Sequence, residues 1–312
     1  MFYNKRWIAD FILIMITFVW GTTFVLVQDA ITTFPPFSFL AVRFGLAALL
    51  LFLIIRFFRN RTEKENPATD PRQNWIGGFV LGIFLFLGYA FQTFSLLYTT
   101  SGKSGFLTGV SVALVPVFTY FILGVRIKLS AATGVLLAII GLYLLAFADF
   151  SDINRGDILA FLCAIFFALQ IVYTGKFSAR TSVFHLVAIQ LATVALLSFF
   201  SAFTFESWQQ ILHPRIYEDP TVAWALMITS LFATAFAFIA QTHVQKFTTP
   251  TRVALIFTME PVFAALADYW WQGVTLTGRS FIGAILILCG MILAEVPLAQ
   301  LSVFKKRAKD KP

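Results

Sequence analysis

Long apolar stretches separated by short polar breaks follow one another along almost the whole chain. A membrane-spanning helix needs about 20 predominantly apolar residues, and the breaks, which hold turn formers and charges, delimit ten stretches of about that length. The stretches are too long for transmembrane β-strands and lack their two-residue alternation. The pattern predicts an all-α membrane protein with ten transmembrane helices (spans one to ten) near residues 8–28, 37–58, 75–98, 104–124, 129–148, 157–176, 182–205, 221–246, 251–271 and 278–297.

The composition agrees with a surface that faces lipid. Hydrophobic residues make up 59% of the 312 residues and charged residues only 12%, which leaves too few polar side chains to cover a water-soluble core. The 38 Phe and 7 Trp residues are of the kinds that contact lipid tails and headgroups. A water-soluble globular protein is therefore excluded.

Basic residues are distributed unevenly between the two sides that the spans define. With the N-terminus inside, 18 of the 23 Lys and Arg residues fall in inner segments, and the outer loops hold Lys103, Arg155, Arg215 and Arg279. Such a bias marks the cytoplasmic side, so both termini are predicted to be cytoplasmic. The net charge of +8 needs no nucleic acid as a partner, since it reflects this bias and a basic cytoplasmic tail at residues 301–312.

Three glycines of the first half recur with identical spacing in the second half, where Gly273, Gly283 and Gly290 correspond to Gly124, Gly134 and Gly141. The recurrence predicts two five-helix repeats, at residues 1–150 and 151–300. Because five is odd, the second repeat is inverted in the membrane, and inverted repeats place a substrate site near the midplane. Spans five and ten, which hold glycine pairs and few polar groups, are predicted to be peripheral helices or a dimer surface in a monomer or weak homodimer.

Two prolines suggest a register between the repeats. Pro116 precedes Gly124 by 8 residues, and Pro261 precedes Gly273 by 12. Matching the prolines therefore predicts about one extra helical turn in the second repeat.

Ionisable residues within the spans need a partner or a water-filled cavity, because a charge at the bilayer centre costs on the order of 2.5–3.5 kcal/mol. At ~1.5 Å per residue, Glu260 lies ~14 Å from the inner face and Arg43 ~9 Å from the outer face. Arg43 can pair with Asp268, reach toward Glu260, or snorkel to the outer headgroups. Glu260 is either a functional carboxyl or one that only packs, whereas Asp268 is expected to be an interfacial acid. The proline register aligns Glu260 with Val115, and a weaker match aligns Arg43 with Gln190, so each charge occurs in one repeat only.

Further polar side chains at middle depth are candidates for lining a substrate cavity. Amides, hydroxyls and an indole can orient a zwitterion or a polar metabolite in an otherwise apolar cavity. Each can equally form an interhelical hydrogen bond without a role in binding. Together with Glu260 and Arg43, the predicted substrate-binding or coupling residues are Trp20, Tyr89, Gln92, Ser111, Tyr173 and Gln241.

Motifs for enzymatic chemistry are incomplete. The sequence GKS at 102–104 imitates the end of a phosphate-binding loop, but Leu97 occupies the place of its first glycine. The three histidines lie on different segments without metal-ligand spacing, so neither a metal nor another cofactor is predicted. Glu260 and Asp268, eight residues apart on one helix, would lie ~12 Å and about 80° apart, a poor geometry for shared hydrolysis. The chain is predicted not to be an enzyme.

Four segments in order along the chain carry a resemblance to a known family: VWGTTF at 19–24, AVRF at 41–44, YTTSGKSGFLTG at 98–109 and RVALIFTMEPVF at 252–263. On these segments the chain resembles the drug/metabolite transporter superfamily, and within it the bacterial EamA-type permeases with ten helices. Many relatives carry Glu after the glycine that closes spans four and nine, where this chain has Val125 and Val274. The resemblance implies a secondary transporter of the bacterial cytoplasmic membrane, proton-coupled or uncoupled, that commonly exports amino acids, metabolites or toxic small molecules.

Two classes of function follow from the residues and the resemblance. The leading one is an exporter that works by alternating access on a small-molecule substrate, in which Glu260 carries a proton or binds a substrate amine and Arg43 attracts a carboxylate. The alternative is an integral membrane protein without transport activity, either an embedded enzyme or a scaffold. Flux across a sealed bilayer distinguishes the two classes.

Overall fold

The computed structural model describes residues 3–58, 71–146, 153–273, 275 and 277–295. Every regular element in these ranges is helical. The predicted basic tail at 301–312 and Val274 lie outside the described residues. The helices are α1 (Tyr3–Ala30), α2 (Pro36–Phe57), α3 (Pro71–Ser95), α4 (Ser101–Gly109), α5 (Ser111–Leu123), α6 (Leu129–Ala146), α7 (Arg155–Ser178), α8 (Val183–Phe205), α9 (Pro214–Glu218), α10 (Pro220–Ile228), α11 (Ala237–Val244), α12 (Pro250–Phe257), α13 (Glu260–Gln272) and α14 (Gly278–Glu295), with a 3₁₀ turn at Trp208–Leu212.

Eight helical segments of the described chain are long and apolar enough to cross a membrane. They are Trp7–Ala30, Pro36–Phe57, Pro71–Ser95, Ser101–Leu123, Arg155–Ser178, Val183–Phe205, Pro220–Val244 and Pro250–Trp271, and two shorter apolar helices lie at Leu129–Leu145 and Gly278–Ala294. Large apolar side chains such as Phe121 (76% exposed) and Trp270 (77% exposed) cover the outside. Such a surface is unfavourable in water and favourable in contact with lipid. The chain is a multi-pass membrane protein, and the eight candidate membrane-crossing helices of the described residues overlap eight of the predicted spans.

The same broken-helix construction occurs twice, 149 residues apart. Thr100 and Thr249 are the N-caps of α4 and α12, and in each case the threonine hydroxyl accepts a hydrogen bond from the third helical residue. A break of one or two residues follows, and then a 13-residue helix, α5 or α13. Both of these helices end at a glycine in the left-handed conformation, with φ of 67° at Gly124 and 69° at Gly273, a backbone region that side chains disfavour.

This construction corrects the register that the prolines predict. Glu260 is the first residue of α13, as Ser111 is the first residue of α5, and the two are 149 residues apart. Glu260 therefore corresponds to Ser111 rather than to Val115, and the second copy has no extra turn before its glycine. The register based on the prolines is wrong because the two prolines are not at equivalent positions. Pro261 occupies the first turn of α13, where the missing N–H costs nothing, whereas Pro116 lies inside α5.

The segment Pro220–Val244 contains a π-helical stretch at Thr229–Phe236 between α10 and α11. π-Helical stretches are rare and are frequently found at functional sites. Here the stretch supplies the Ala233 carbonyl to the indole of Trp20 and the Thr234 hydroxyl to the guanidinium of Arg43. It therefore fixes two of the predicted site residues.

The recurring glycines of α6 and α14 face each other inside the molecule. A Cβ added to Gly134 would lie 2.5 Å from the carbonyl oxygen of Gly290, and one added to Gly141 would lie 2.6 Å from that of Gly283. The two backbones touch because neither carries a side chain at these points. The glycines thus form a seam between two helices of one chain and are not available as a dimer surface.

Candidate functional site

A small cavity lies at the centre of the bundle, beside the breaks in both broken helices. Its volume of about 40 Å³ is enough for roughly three water molecules, so a larger molecule requires the helices to move apart. Its walls come from both halves of the chain and are mostly aromatic or small. They are formed by Trp20, Leu85, Tyr89, Gln92, Gly105, Thr108, Gly109, Ser111, Phe167, Gln170, Ile171, Phe238, Phe257, Glu260 and Pro261.

A second compartment of about 20 Å³ shares Trp20, Tyr89, Gln92 and Glu260 with the first. Its other walls include Arg43 and the hydroxyl-bearing residues Thr23 and Thr93. We refer to the two compartments together as the central cavity. It has an aromatic end and a polar end, and Glu260 borders both.

Glu260 begins α13 immediately after the break at Thr258 and Met259. Within the described part of the chain, its carboxyl has neither a hydrogen-bond partner nor an ion-pair partner. An acidic residue in the first helical turn is favoured by the partial positive charge of the helix N-terminus. The fold therefore places Glu260 at a helix break in the wall of the cavity, without a protein partner for its carboxyl in the described chain.

Arg43 is buried, with 3% of its surface exposed, and so does not snorkel to the headgroups. Its Nε donates a hydrogen bond to the Thr234 hydroxyl at 2.9 Å, and a terminal nitrogen lies 3.5 Å from the Tyr89 hydroxyl. Its guanidinium carbon lies 4.7 Å from the Tyr89 ring centroid and 5.3 Å from that of Phe44, within the range of cation–π attraction. Neither predicted ion pair, with Asp268 or with Glu260, is formed; the guanidinium instead contacts Thr234, Tyr89 and Phe44.

Asp268 lies at the far end of α13 from Glu260 and is also buried, with 8% exposed. The hydroxyl of Ser101, at the start of α4, donates to both carboxylate oxygens at 3.1 and 2.9 Å. Asp268 thus joins α13 to the first turn of α4. Asp268, for which the sequence predicts an interfacial acid, is covered by α4 rather than exposed.

Trp20 and Gln92 are both held by hydrogen bonds at the cavity wall. The indole nitrogen of Trp20 donates to the Ala233 carbonyl at 2.7 Å, and its ring meets those of Phe257 and Phe238 with centroids 4.9 and 5.6 Å apart. The amide of Gln92 lies 3.4 Å from the Thr108 hydroxyl. These contacts fix the orientation of the wall, which reduces the entropy lost when a ligand binds.

Two of the predicted site residues lie away from the cavity. Gln241 is fully buried, and its amide donates to the Gln170 side chain at 3.3 Å, so it supports a wall residue from behind. The ring of Tyr173 packs against Phe84 and Phe177, with centroids 5.3 and 6.1 Å away. The structure therefore brings together Glu260, Arg43, Trp20, Tyr89, Gln92 and Ser111, with Gln241 one layer behind and Tyr173 outside the group.

Several wall residues carry no signal that distinguishes them in the sequence. Phe167, Phe238 and Phe257 are three of 38 phenylalanines, and only the packing separates them from those that face lipid. Gly105 and Gly109 have the spacing of a close helix contact, and the structure adds that they line the cavity opposite Pro261.

A wider opening of about 790 Å³ lies at the end of the bundle that holds Arg126 and Lys128. Leu255 and Ile256 form part of its wall, and the next residue, Phe257, belongs to the central cavity. Neighbouring residues of α12 thus border the wide opening and the central cavity.

Comparison with known proteins agrees with a membrane transporter. The model of the EamA-like transporter family matches the chain twice, at residues 7–147 and 154–295. An uncharacterized transporter of Archaeoglobus fulgidus is 33% identical over 293 residues, covering 94% of this chain and 87% of its own. A probable amino-acid metabolite efflux pump of Salmonella typhimurium is 25% identical, covering 91% and 93%.

A solved crystal structure has the same fold, with a TM-score of 0.73 at 19% identity, over 93% of this chain and 97% of that one. The family and these relatives are transporters rather than enzymes. With two family matches that together span almost the whole chain, and with a polar cavity at the centre of its helices, this protein belongs to the EamA-like transporter family.

Proposed function

We propose that this protein is a secondary active exporter of amino acids or related small metabolites and drugs, located in the bacterial cytoplasmic membrane. It works by alternating access to the central cavity, and export is coupled to proton movement through Glu260. The observation that carries the proposal is the Glu260 carboxyl, placed at a helix break in the central cavity without a protein partner in the described chain.

The architecture behind this proposal is a pair of inverted five-helix repeats, at residues 1–150 and 151–300, with both termini cytoplasmic. The double family match and the two broken helices 149 residues apart support the duplication. Inversion is supported by packing: Gly102 lies near Asp268 and Gly109 near Pro261, so α4 of the first half runs antiparallel to α13 of the second. The excess of basic residues supports the cytoplasmic termini.

The chemistry of the cavity favours a substrate with an ammonium group. An ammonium can form an ion pair with Glu260 while its apolar part contacts Trp20 and Phe238, which also attract cations through their rings. A carboxylate on the same molecule can approach the guanidinium of Arg43 in the second compartment. A zwitterionic amino acid satisfies both ends, and one relative is named for amino-acid metabolite efflux.

Transport in proteoliposomes tests the proposal. Purified protein is reconstituted into sealed vesicles with an imposed pH gradient, and radiolabelled amino acids of each side-chain class are supplied in turn. We expect at least one of them to accumulate against its concentration gradient, and a protonophore to abolish the accumulation. Binding to the detergent-purified protein without flux of any compound would contradict the proposal.

A further inference from the structure

Two ion pairs occupy corresponding positions in the two halves of the chain. The Nζ of Lys103 lies 2.6 Å from the Asp157 carboxylate. Arg252 forms a bidentate pair with Asp10, in which Nε and a terminal nitrogen donate at 2.9 and 2.5 Å. The cations are 149 residues apart and the acids 147 residues apart. The two pairs therefore correspond, with the cation in the first half and the acid in the second for one pair, and the reverse for the other.

The two cations have the same local setting. Each is the third residue of a half-helix whose threonine N-cap accepts a hydrogen bond from its backbone N–H: Thr100 for Lys103 and Thr249 for Arg252. A cation in the first turn is unfavourable for the helix itself, because the helix N-terminus carries a partial positive charge. The basic residues are therefore not explained by helix stability, and their recurrence points to the pairs they form.

Each pair joins one half of the chain to the other. Lys103 on α4 reaches Asp157 on α7, and Arg252 on α12 reaches Asp10 on α1. Any rotation of one half against the other changes the distances within both pairs. Interfaces of this kind switch between discrete arrangements by exchanging such contacts.

The central cavity lies between the two pairs. Glu260 is eight residues from Asp268 on α13, or ~12 Å along the helix axis, and eight residues in the other direction lies Arg252, on α12 beyond the break. Asp268 lies beside Gly102, the neighbour of Lys103, so the Lys103–Asp157 pair is at the Asp268 end. With both pairs formed, the two compartments of the central cavity hold only about 40 and 20 Å³.

We propose that Lys103–Asp157 and Arg252–Asp10 are the two gates of the transport cycle, which open one at a time to expose the central cavity to the outside and to the cytoplasm. This inference rests on the proposed alternating access. In the structure both pairs are formed, the compartments of the central cavity are too small for substrate, and the wide opening, whose wall includes Arg252, lies on the inner side. The charge bias assigns Lys103–Asp157 to the outer side and Arg252–Asp10 to the inner side.

Reagent access to a cysteine in the cavity tests the two gates. Ser111→Cys is introduced into a chain in which Cys163 and Cys289 are replaced by alanine. A membrane-impermeant maleimide is then added to right-side-out or inverted vesicles. We expect Lys103→Gln to raise the ratio of outside to inside labelling about tenfold and Arg252→Gln to lower it about tenfold, the scale on which losing one partner of a semi-buried pair shifts a two-state equilibrium.

Charge-preserving variants are the matched controls. Lys103→Arg and Arg252→Lys are expected to keep the labelling ratio within about twofold of the parent, because the ion pair persists. If a glutamine variant does not fold, Asp157→Asn or Asp10→Asn removes the same pair from its other side. Unchanged labelling ratios, or equal changes on both sides, would overturn the gate proposal even if the protein transports substrate. Absence of flux through the parent protein would instead overturn the proposed function.

Discussion

Replacing Glu260 by glutamine is expected to abolish substrate-driven proton movement in proteoliposomes, a loss of at least about a hundredfold. Glutamine keeps the size of the side chain and can form hydrogen bonds, but it neither binds and releases a proton nor neutralises an ammonium group. Because no other carboxyl lines the central cavity in the described chain, nothing there replaces it. The measurement is the change in internal pH when substrate is added, followed with an entrapped dye.

A matched control separates this effect from a general loss of acidic charge. Glu218 lies on the exposed helix α9, and Glu218→Gln is expected to leave proton movement unchanged. Equal thermal stability of the two variants in detergent shows that both are folded. Parental proton movement in Glu260→Gln would remove this carboxyl from the coupling mechanism.

Replacing Gly134 by alanine is expected to destabilise the protein by about 1–3 kcal/mol, the usual cost of overpacking a filled interior. The added methyl group would lie 2.5 Å from the Gly290 carbonyl oxygen and 2.7 Å from the Ala294 side chain, so α6 and α14 must separate. A lower midpoint of thermal unfolding in detergent, with earlier loss of the monodisperse peak, measures this effect.

The control is another glycine within a helix. Gly45 on α2 has no atom within 4 Å of the position that a Cβ would take. Gly45→Ala is therefore expected to keep or raise the unfolding midpoint, because alanine is favoured over glycine in helices by about 1 kcal/mol. If Gly134→Ala had the same unfolding midpoint as Gly45→Ala, the glycine seam would not be a tight contact.

The spans were predictable from the sequence because lipid imposes a simple rule on the chain. A helix that crosses the bilayer must be apolar over about 20 residues, and the polar breaks mark its ends. The positions of the eight described helices that are long enough to cross a membrane follow from this rule. The breaks within spans four and nine do not, since Val110 and Thr258 are ordinary residues for a helix and only the backbone shows where α4 and α12 end.

The candidate site was predictable only in part, for a reason that Arg43 illustrates. Its charge and its depth are visible in the sequence, and they mark it as a residue that needs partners. Its partner Thr234 is 191 residues away on a π-helical stretch, and no local pattern connects the two. The contact between α6 and α14 was also predictable only in part. The spacing of its glycines shows that they recur in the sequence but not that they face each other in the structure.

The most direct test of the account is whether the central cavity is reached from both sides of the membrane during transport. The variant in which Ser111→Cys provides the only cysteine, with both ion pairs intact, is labelled with an impermeant maleimide. Labelling is measured in right-side-out and in inverted vesicles, with and without a transported substrate. Alternating access predicts labelling from both sides, slowed on both by a substrate that occupies the cavity beside Glu260. Labelling from one side only, or labelling that no transported substrate slows, would contradict it.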